Sequence, residues 1–228
     1  MFISEMNIIT SNLDRYYHAM RSRHPNILWF GDESRHEIAL TFDDGPHPKD
    51  TPQVLEKLAN HNIHATFFLV GKYIEQYPSL VKQIHQSGYQ IGVHGYRHIP
   101  FQLGNPATLR AQLDHTRNVI AKLCDLAPES INDLRPPYGA FTSKIASTLI
   151  EWQYRLVMWN NIPPHWMQPV SWTINQVLDQ TIPGSIIVLH DRHGHGAKVA
   201  QILDAIVPSL KARGYRFVTI KQMRERTS

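Results

Sequence analysis

A single cysteine, Cys124, stands among the 228 residues, which excludes an internal disulfide. Its helical surroundings favour a small buried apolar residue over a nucleophile. No apolar run approaches the roughly 20 residues of a membrane span. A signal peptide is lacking too: MFISEMNIITSNLDRYYHAM contains Glu5 and Asp14 and no uninterrupted apolar core. As given, the chain is expected in the cytoplasm, or outside the cell or in its envelope if an export signal is missing from the sequence. Low-complexity linkers and internal repeats are also lacking. So is any block of one charge. The net charge is +4, yet Lys and Arg are scattered. The one basic stretch, Lys211 to Arg226, fits a solvated last turn better than a nucleic-acid surface. Nothing in the pattern specifies an oligomer.

What is present is an ordinary globular composition, 42% hydrophobic and 18% charged, with length for one large domain or two small ones. Fourteen histidines are many for this length and direct attention to metal or proton chemistry. Residues 6–22 carry Ile8, Ile9, Leu13, Tyr16, Tyr17 and Met20 at helical spacing, and Pro25 ends that helix. Residues 1–35 therefore read as an N-terminal helical extension ahead of a unit spanning 36–228.

In that unit apolar strands alternate with amphipathic helices. Strands are expected at 38–42, 65–70, 89–93, up to Leu134, 155–159, 185–189 and 215–220. Helices are expected near 52–62, 78–87, 106–124, 143–152, 173–181 and 197–213. About seven strands in strict alternation call for parallel pairing with helical crossovers. Asp43, Asp44, His94, Arg135, Trp159 and His190 all fall at or just past the C-terminal ends of different strands. A barrel gathers those ends around one mouth, whereas an open sheet spreads them along an edge. The expected fold is an α/β, incomplete (β/α) barrel.

Chemistry centres on IALTFDDGP, residues 38–46, a buried strand that stops at two adjacent carboxylates. Buried charges need partners, and Gly45–Pro46 fixes where these two point. His94 and His98 in VHGYRH are four apart, so on a helical turn both imidazoles would share a face and reach one ion. Two His and one Asp leave open positions on a metal, as hydrolysis requires. The same set serves non-haem iron oxygenases, but nothing else here indicates an oxygenase co-substrate. The second aspartate suits a general base for water acidified by the metal. Arg135, in LRPPYG, would hold that carboxylate ionised. His190, ending SIIVLHD, suits a general acid, with helix capping or core packing as its competing role. Of Trp152, Trp159, Trp166 and Trp172, most belong to the core, and one or two would line a sugar pocket.

TFDDGP, the HxxxH of VHGYRH, RPPYG and VLHD resemble, in order, the motifs of the polysaccharide deacetylase family, which includes chitin, peptidoglycan and chitooligosaccharide deacetylases. The resemblance spans about residues 36–220. It implies a distorted (β/α) barrel and a divalent metal, usually zinc, held by Asp44, His94 and His98. It implies Asp43 as base, Arg135 as its partner and His190 as acid. The Tyr138 N–H would stabilise the oxyanion and Leu189 would line the acetyl-methyl pocket, with Trp159 and Trp166 in substrate binding. The implied substrate is an N-acetylated amino-sugar oligo- or polysaccharide.

Two positions depart from the pattern. Gly95 replaces the usual Ser or Thr after the first metal His, removing a bracing hydroxyl and freeing the backbone. His165, in MWNNIPPHW, replaces an Asp that orients and tunes the catalytic His, and it is expected to face either His190 or solvent. HDRHGH, residues 190–195, reads as a mobile His-rich loop. The alternatives are a hydrolase of another small or cyclic amide on the same barrel, and a catalytically weak carbohydrate-binding protein.

Overall fold

All seven residues of β1 (Glu37–Asp43) are buried, the pattern of a parallel strand covered on both faces. The structure is a computed structural model and describes residues 22–225. The helix expected over 6–22 lies, apart from its last residue, outside that range. After β1 come α1 (Asp50–Asn60), β2 (Thr66–Leu69), α2 (Gly71–Gln76), α3 (Pro78–Gln86) and β3 (Gln90–Val93). Then follow α4 (Pro106–Cys124), β4 (Asp133–Leu134), α5 (Ser143–Glu151) and β5 (Arg155–Leu156). The last third holds α6 (Val170–Gln180), β6 (Ile186–His190), α7 (Gly196–Ala212), β7 (Arg216–Phe217) and α8 (Ile220–Glu225).

Local chemistry sets several of these bounds. Pro106 opens α4 behind Asn105, whose side chain accepts from the Ala107 N–H at 2.9 Å. Thr142 caps α5 through the Ile145 N–H. Pro78 separates α3 from α2.

The seven strands pair only in parallel, in the order β5-β4-β3-β2-β1-β6. β7 joins β1 at Glu37 and Ile38, upstream of the β2 register at Thr41 to Asp43. The two outer strands do not form a ladder with one another. Instead the chain beyond β5 runs to β6, where Asn161 bridges Ile187 and its carbonyl accepts from the Val188 N–H at 2.9 Å. The Asn160 carboxamide accepts from the Ile186 N–H at 2.9 Å. The sheet is thus a distorted, incomplete barrel closed by a short seam.

The barrel's lower end is latched by polar groups. Asp133, 2% exposed, accepts from Gln90, Arg155 and Arg224, and the Lys221 N–H of α8 donates to Gln90. Functional groups gather at the opposite end.

Three expectations need correction. The strand expected at 155–159 has a two-residue ladder, because residues beyond it turn outward to make the seam. The strand expected at 215–220 is also two residues long, and Ile220 begins α8 beneath the barrel. Helix α2 was not foreseen, since six residues are too few for a helical period. Ahead of β1, Ile27, Leu28 and Trp29 are buried in the same core, and Leu28 pairs with Val157. No described helix is long and apolar enough to cross a membrane.

Candidate active site

Strand period places Thr41 and Asp43 on one face of β1, pointing into the barrel. Between them lies Arg135, fully buried just past β4. Its Nη1 donates to Asp43 Oδ1 at 2.7 Å and to Thr41 Oγ1 at 2.8 Å. Nη2 and Nε donate to the carbonyls of Met158 and Val157, and the guanidinium plane lies 4.1 Å from the Phe68 ring centroid. Burial pushes the guanidinium pKa down, and Asp43 opposes that shift. A buried ion pair persists only when its remaining donors are satisfied, and the seam carbonyls satisfy them here. Oδ2 of Asp43 stays on the open side, 3.9 Å from His94 Nε2.

Asp44 leaves the strand with φ of 76°, a left-handed conformation that turns its carboxylate across the mouth. The turn is pinned by the Val70 N–H on the Gly45 carbonyl. Glycine is needed at 45 for room: a Cβ there would sit 2.5 Å from a carboxylate oxygen of Asp191. That carboxyl is fully buried and takes a hydrogen bond from Thr51. Burial pushes its pKa up to about 7.

His94 follows β3, and its Nδ1–H donates to the Arg135 carbonyl at 2.7 Å. A carbonyl can only accept, so in a neutral ring Nδ1 carries the proton and the Nε2 lone pair is available to an ion. His94 Nε2 lies 3.5 Å, and His98 Nε2 3.0 Å, from Asp44 Oδ1. The donor atoms of the three residues fall within 4.8 Å of one another. The expected helical turn is not what joins the histidines. His94 to His98 is a loop with Gly95 at φ 73° and His98 at φ 53°, which folds the second ring back onto the first. Burial works against the Asp44 charge, but the imidazoles of His94 and His98 beside it outweigh that and hold the carboxyl well below its usual range. Asp44 Oδ1 is buried without a hydrogen bond of good geometry. One oxygen and two imidazole nitrogens gathered this closely could hold a divalent ion.

Across the mouth, His190 ends β6 opposite Asp43 in the parallel register. Its Nδ1 is buried and has no partner. Burial pushes its pKa down, with Asp43 and Asp44 acting the other way. Behind it stands His165, 0% exposed, with rings stacked at 5.0 Å. Solvent exposure of His165 is thereby ruled out. Its Nδ1–H donates to the Pro163 carbonyl and its Nε2 accepts from the His190 N–H at 3.3 Å. Burial, reinforced by the nearby His190, pushes the His165 pKa down to about 3. Trp166 is 43% exposed and stands edge-on to His190 at 5.1 Å.

Tyr138 sits at φ 60° in the turn Pro137–Gly139. Gly139 and Ala140 bond back to Pro136 and Pro137, whereas the Tyr138 N–H makes no such bond. Its ring is 65% exposed and packs against His98 at 4.5 Å. Trp159 is buried against Gly139, where a Cβ would meet it at 2.4 Å, so it supports this turn from inside. Leu189 does not line the mouth. It pairs with Phe42, on the sheet face opposite His190 and Asp43, and the neighbour that shares their face is Val188, paired with Thr41.

Sequence reasoning missed Thr41, although it is two residues before Asp43 and hence on the same face. It also missed His193, whose Nε2 lies 3.5 Å from Asp44 Oδ2. Asn160 and Asn161, within MWNNIPPHW, are seam residues.

Known proteins resemble this chain. The polysaccharide deacetylase family model matches residues 30–157. The peptidoglycan-N-acetylglucosamine deacetylase of Bacillus cereus is 38% identical over 195 residues, covering 85% of this chain and 70% of that protein. The chitooligosaccharide deacetylase of Azorhizobium caulinodans is 33% identical over 195 residues, covering 80% and 92% respectively. A crystal structure of the Bc1960 peptidoglycan N-acetylglucosamine deacetylase in complex with 4-naphthalen-1-yl-N-oxidanyl-benzamide aligns with a TM-score of 0.82 and 36% identity, over 87% of this chain and 92% of that one. With the family model matching more than half of its length and a relative 38% identical across 85% of it, the chain belongs to the polysaccharide deacetylase family.

Proposed function

We propose that this protein hydrolyses the N-acetyl group of an amino sugar in an oligo- or polysaccharide, using a divalent metal, zinc by donor chemistry. The observation that carries the reading is the pairing of two unlike carboxylates at one strand end. Asp43 is tied to a buried guanidinium, and Asp44 is tied to two imidazoles. Neighbouring acids with separate partners are equipped for separate tasks.

Asp44 Oδ1, His94 Nε2 and His98 Nε2 would hold the ion. When bound, it supplies Lewis acidity, lowering the pKa of water and polarising the acetyl carbonyl. Asp43 receives the proton of the attacking water at Oδ2, while Arg135 keeps Oδ1 occupied and the carboxylate charged. The Tyr138 N–H, presented by the left-handed turn, donates to the carbonyl oxygen as charge develops there. His190 delivers a proton to the departing amine nitrogen. Val188 is placed for the acyl methyl group, and Trp166 offers an aromatic face beside His190 for a sugar ring.

Acetate release from chitooligosaccharides and from peptidoglycan fragments tests the reading. Zinc-loaded protein should turn over at least one of them, chelated protein neither, and Asp43→Asn should lose on the order of 100-fold or more. No acetate from any N-acetylated sugar with zinc-loaded protein would overturn it. Saturable sugar binding under the same conditions would mark a binding protein instead.

A further inference from the structure

Asp44 has two oxygens, and they face different groups. Oδ1 faces His94 and His98. Oδ2 faces His193, whose Nε2 lies 3.5 Å away. His193 does not join the group of donors that lie within 4.8 Å of one another, so it stands outside the ligand set. A carboxylate that gives one oxygen to an ion needs a hydrogen-bond donor on the other to stay oriented.

His193 reaches that position at a conformational cost. It and Gly194 have φ of 63° and 78°, consecutive left-handed residues in a tight turn closed by the His195 N–H on the Arg192 carbonyl. Glycine adopts this freely, whereas the Cβ of histidine is strained there. The turn is held by a buried anchor. The Gly194 N–H donates to Asp50 Oδ2 at 2.8 Å. The same oxygen pairs with His47 Nδ1 at 2.9 Å, and Asp50 is 4% exposed. A strained residue fixed by a buried carboxylate and aimed at a ligand oxygen is a functional arrangement rather than a slack loop.

We infer that His193 is a positioning residue for the metal centre: its Nε2–H takes the second oxygen of Asp44 and sets the carboxylate for the ion. This inference rests on the metal reading of Asp44, His94 and His98. His195, two residues on, turns to His165 instead, with ring centroids 6.0 Å apart.

Zinc affinity, measured on metal-free protein by competition with a chromophoric chelator, provides the test without reference to turnover. His193→Ala should weaken zinc by about 10- to 100-fold. His193→Gln, which restores an N–H donor, should recover most of that loss. His195→Ala should match the wild type, and His98→Ala should lose nearly all affinity. Wild-type affinity in His193→Ala alongside loss in His98→Ala would overturn this inference alone. Loss in His193→Ala as deep as in His98→Ala would overturn it too, by making His193 a ligand. Unchanged affinity in His98→Ala would instead overturn the metal reading beneath it. His193 is 62% exposed, so its replacement leaves the core intact.

Discussion

Behind His190, at the place where the resemblance leads one to expect a carboxylate, stands an imidazole with both ring nitrogens committed to backbone groups. His165 is therefore neutral wherever the protein works, and it offers no charge to favour the imidazolium of His190. Burial lowers the pKa of His190, and only Asp43 and Asp44, on the far side of the ring, resist. An acid must be protonated to act, so activity should decline on the alkaline side at a pH below that of a His190 backed by an anion. His165→Asp should move the alkaline limb of kcat/KM upward, by on the order of one pH unit. Superimposed profiles would show that the two rings stack without electrostatic consequence, and a downward movement would contradict the geometry.

Among elements, the loop from His94 to His98 shows how a missing side chain is replaced by backbone. Gly95 lacks the hydroxyl that was expected to brace this loop, yet the loop is not loose. The Gly71 N–H of α2 donates to the Gly95 carbonyl at 2.9 Å, and the Lys72 N–H to the Tyr96 carbonyl at 3.0 Å. Tyr96 also donates to Glu75, which His115 holds from α4. Restoring a serine would not help. Its Cβ would meet Phe101 at 3.2 Å, on a backbone with φ of 73°. Gly95→Ser should lower stability by about 1 kcal/mol and weaken zinc binding; thermal melts and chelator titration would show it. The order of strands and the acids and histidines at their ends were legible because buried strands leave an apolar record and stop at polar residues. Helix α2 left none in six residues. The seam at Asn160 and Asn161 is a lateral bond between a loop and a strand edge, with no period to read. Val188 was legible: counting back two from His190 along a strand reaches it, whereas the resemblance led to Leu189.

For the molecule as a whole, two buried groups pull stability in opposite directions with pH. His165, pushed down to about 3 from 6.5, stays neutral in the fold while the unfolded chain takes up a proton. Its contribution is therefore lost as pH falls from 6.5 towards 3. Asp191, pushed up to about 7 from 3.8, keeps its proton in the fold while the unfolded chain releases it. Its contribution is lost as pH rises from 3.8 towards 7. Each slope is at most about 1.4 kcal/mol per pH unit, and across the shared window they offset. His190, also pushed down by burial, adds to the His165 slope. Relative to the wild type, His165→Gln should tilt urea midpoints between pH 4 and 6.5 downward as pH rises, and Asp191→Asn should tilt them upward. Unchanged slopes in both variants would show that neither group is desolvated as its burial indicates.

β1 has partners on both edges, and they come from distant parts of the chain: β2 at Thr66, β6 at Ile186 and β7 at Arg216. During synthesis, Asp43 and Asp44 leave the ribosome before the strands that flank them, and His94, His98 and Arg135 can join them from the β2 side. The other edge of β1 stays open until residue 190 has emerged, and its first residues wait for 217. Until then the protein carries an apolar strand with one bare edge, open to pairing with another nascent copy. The strand that presents Asp43 and Asp44 is thus written before its partners and is the last to be completed.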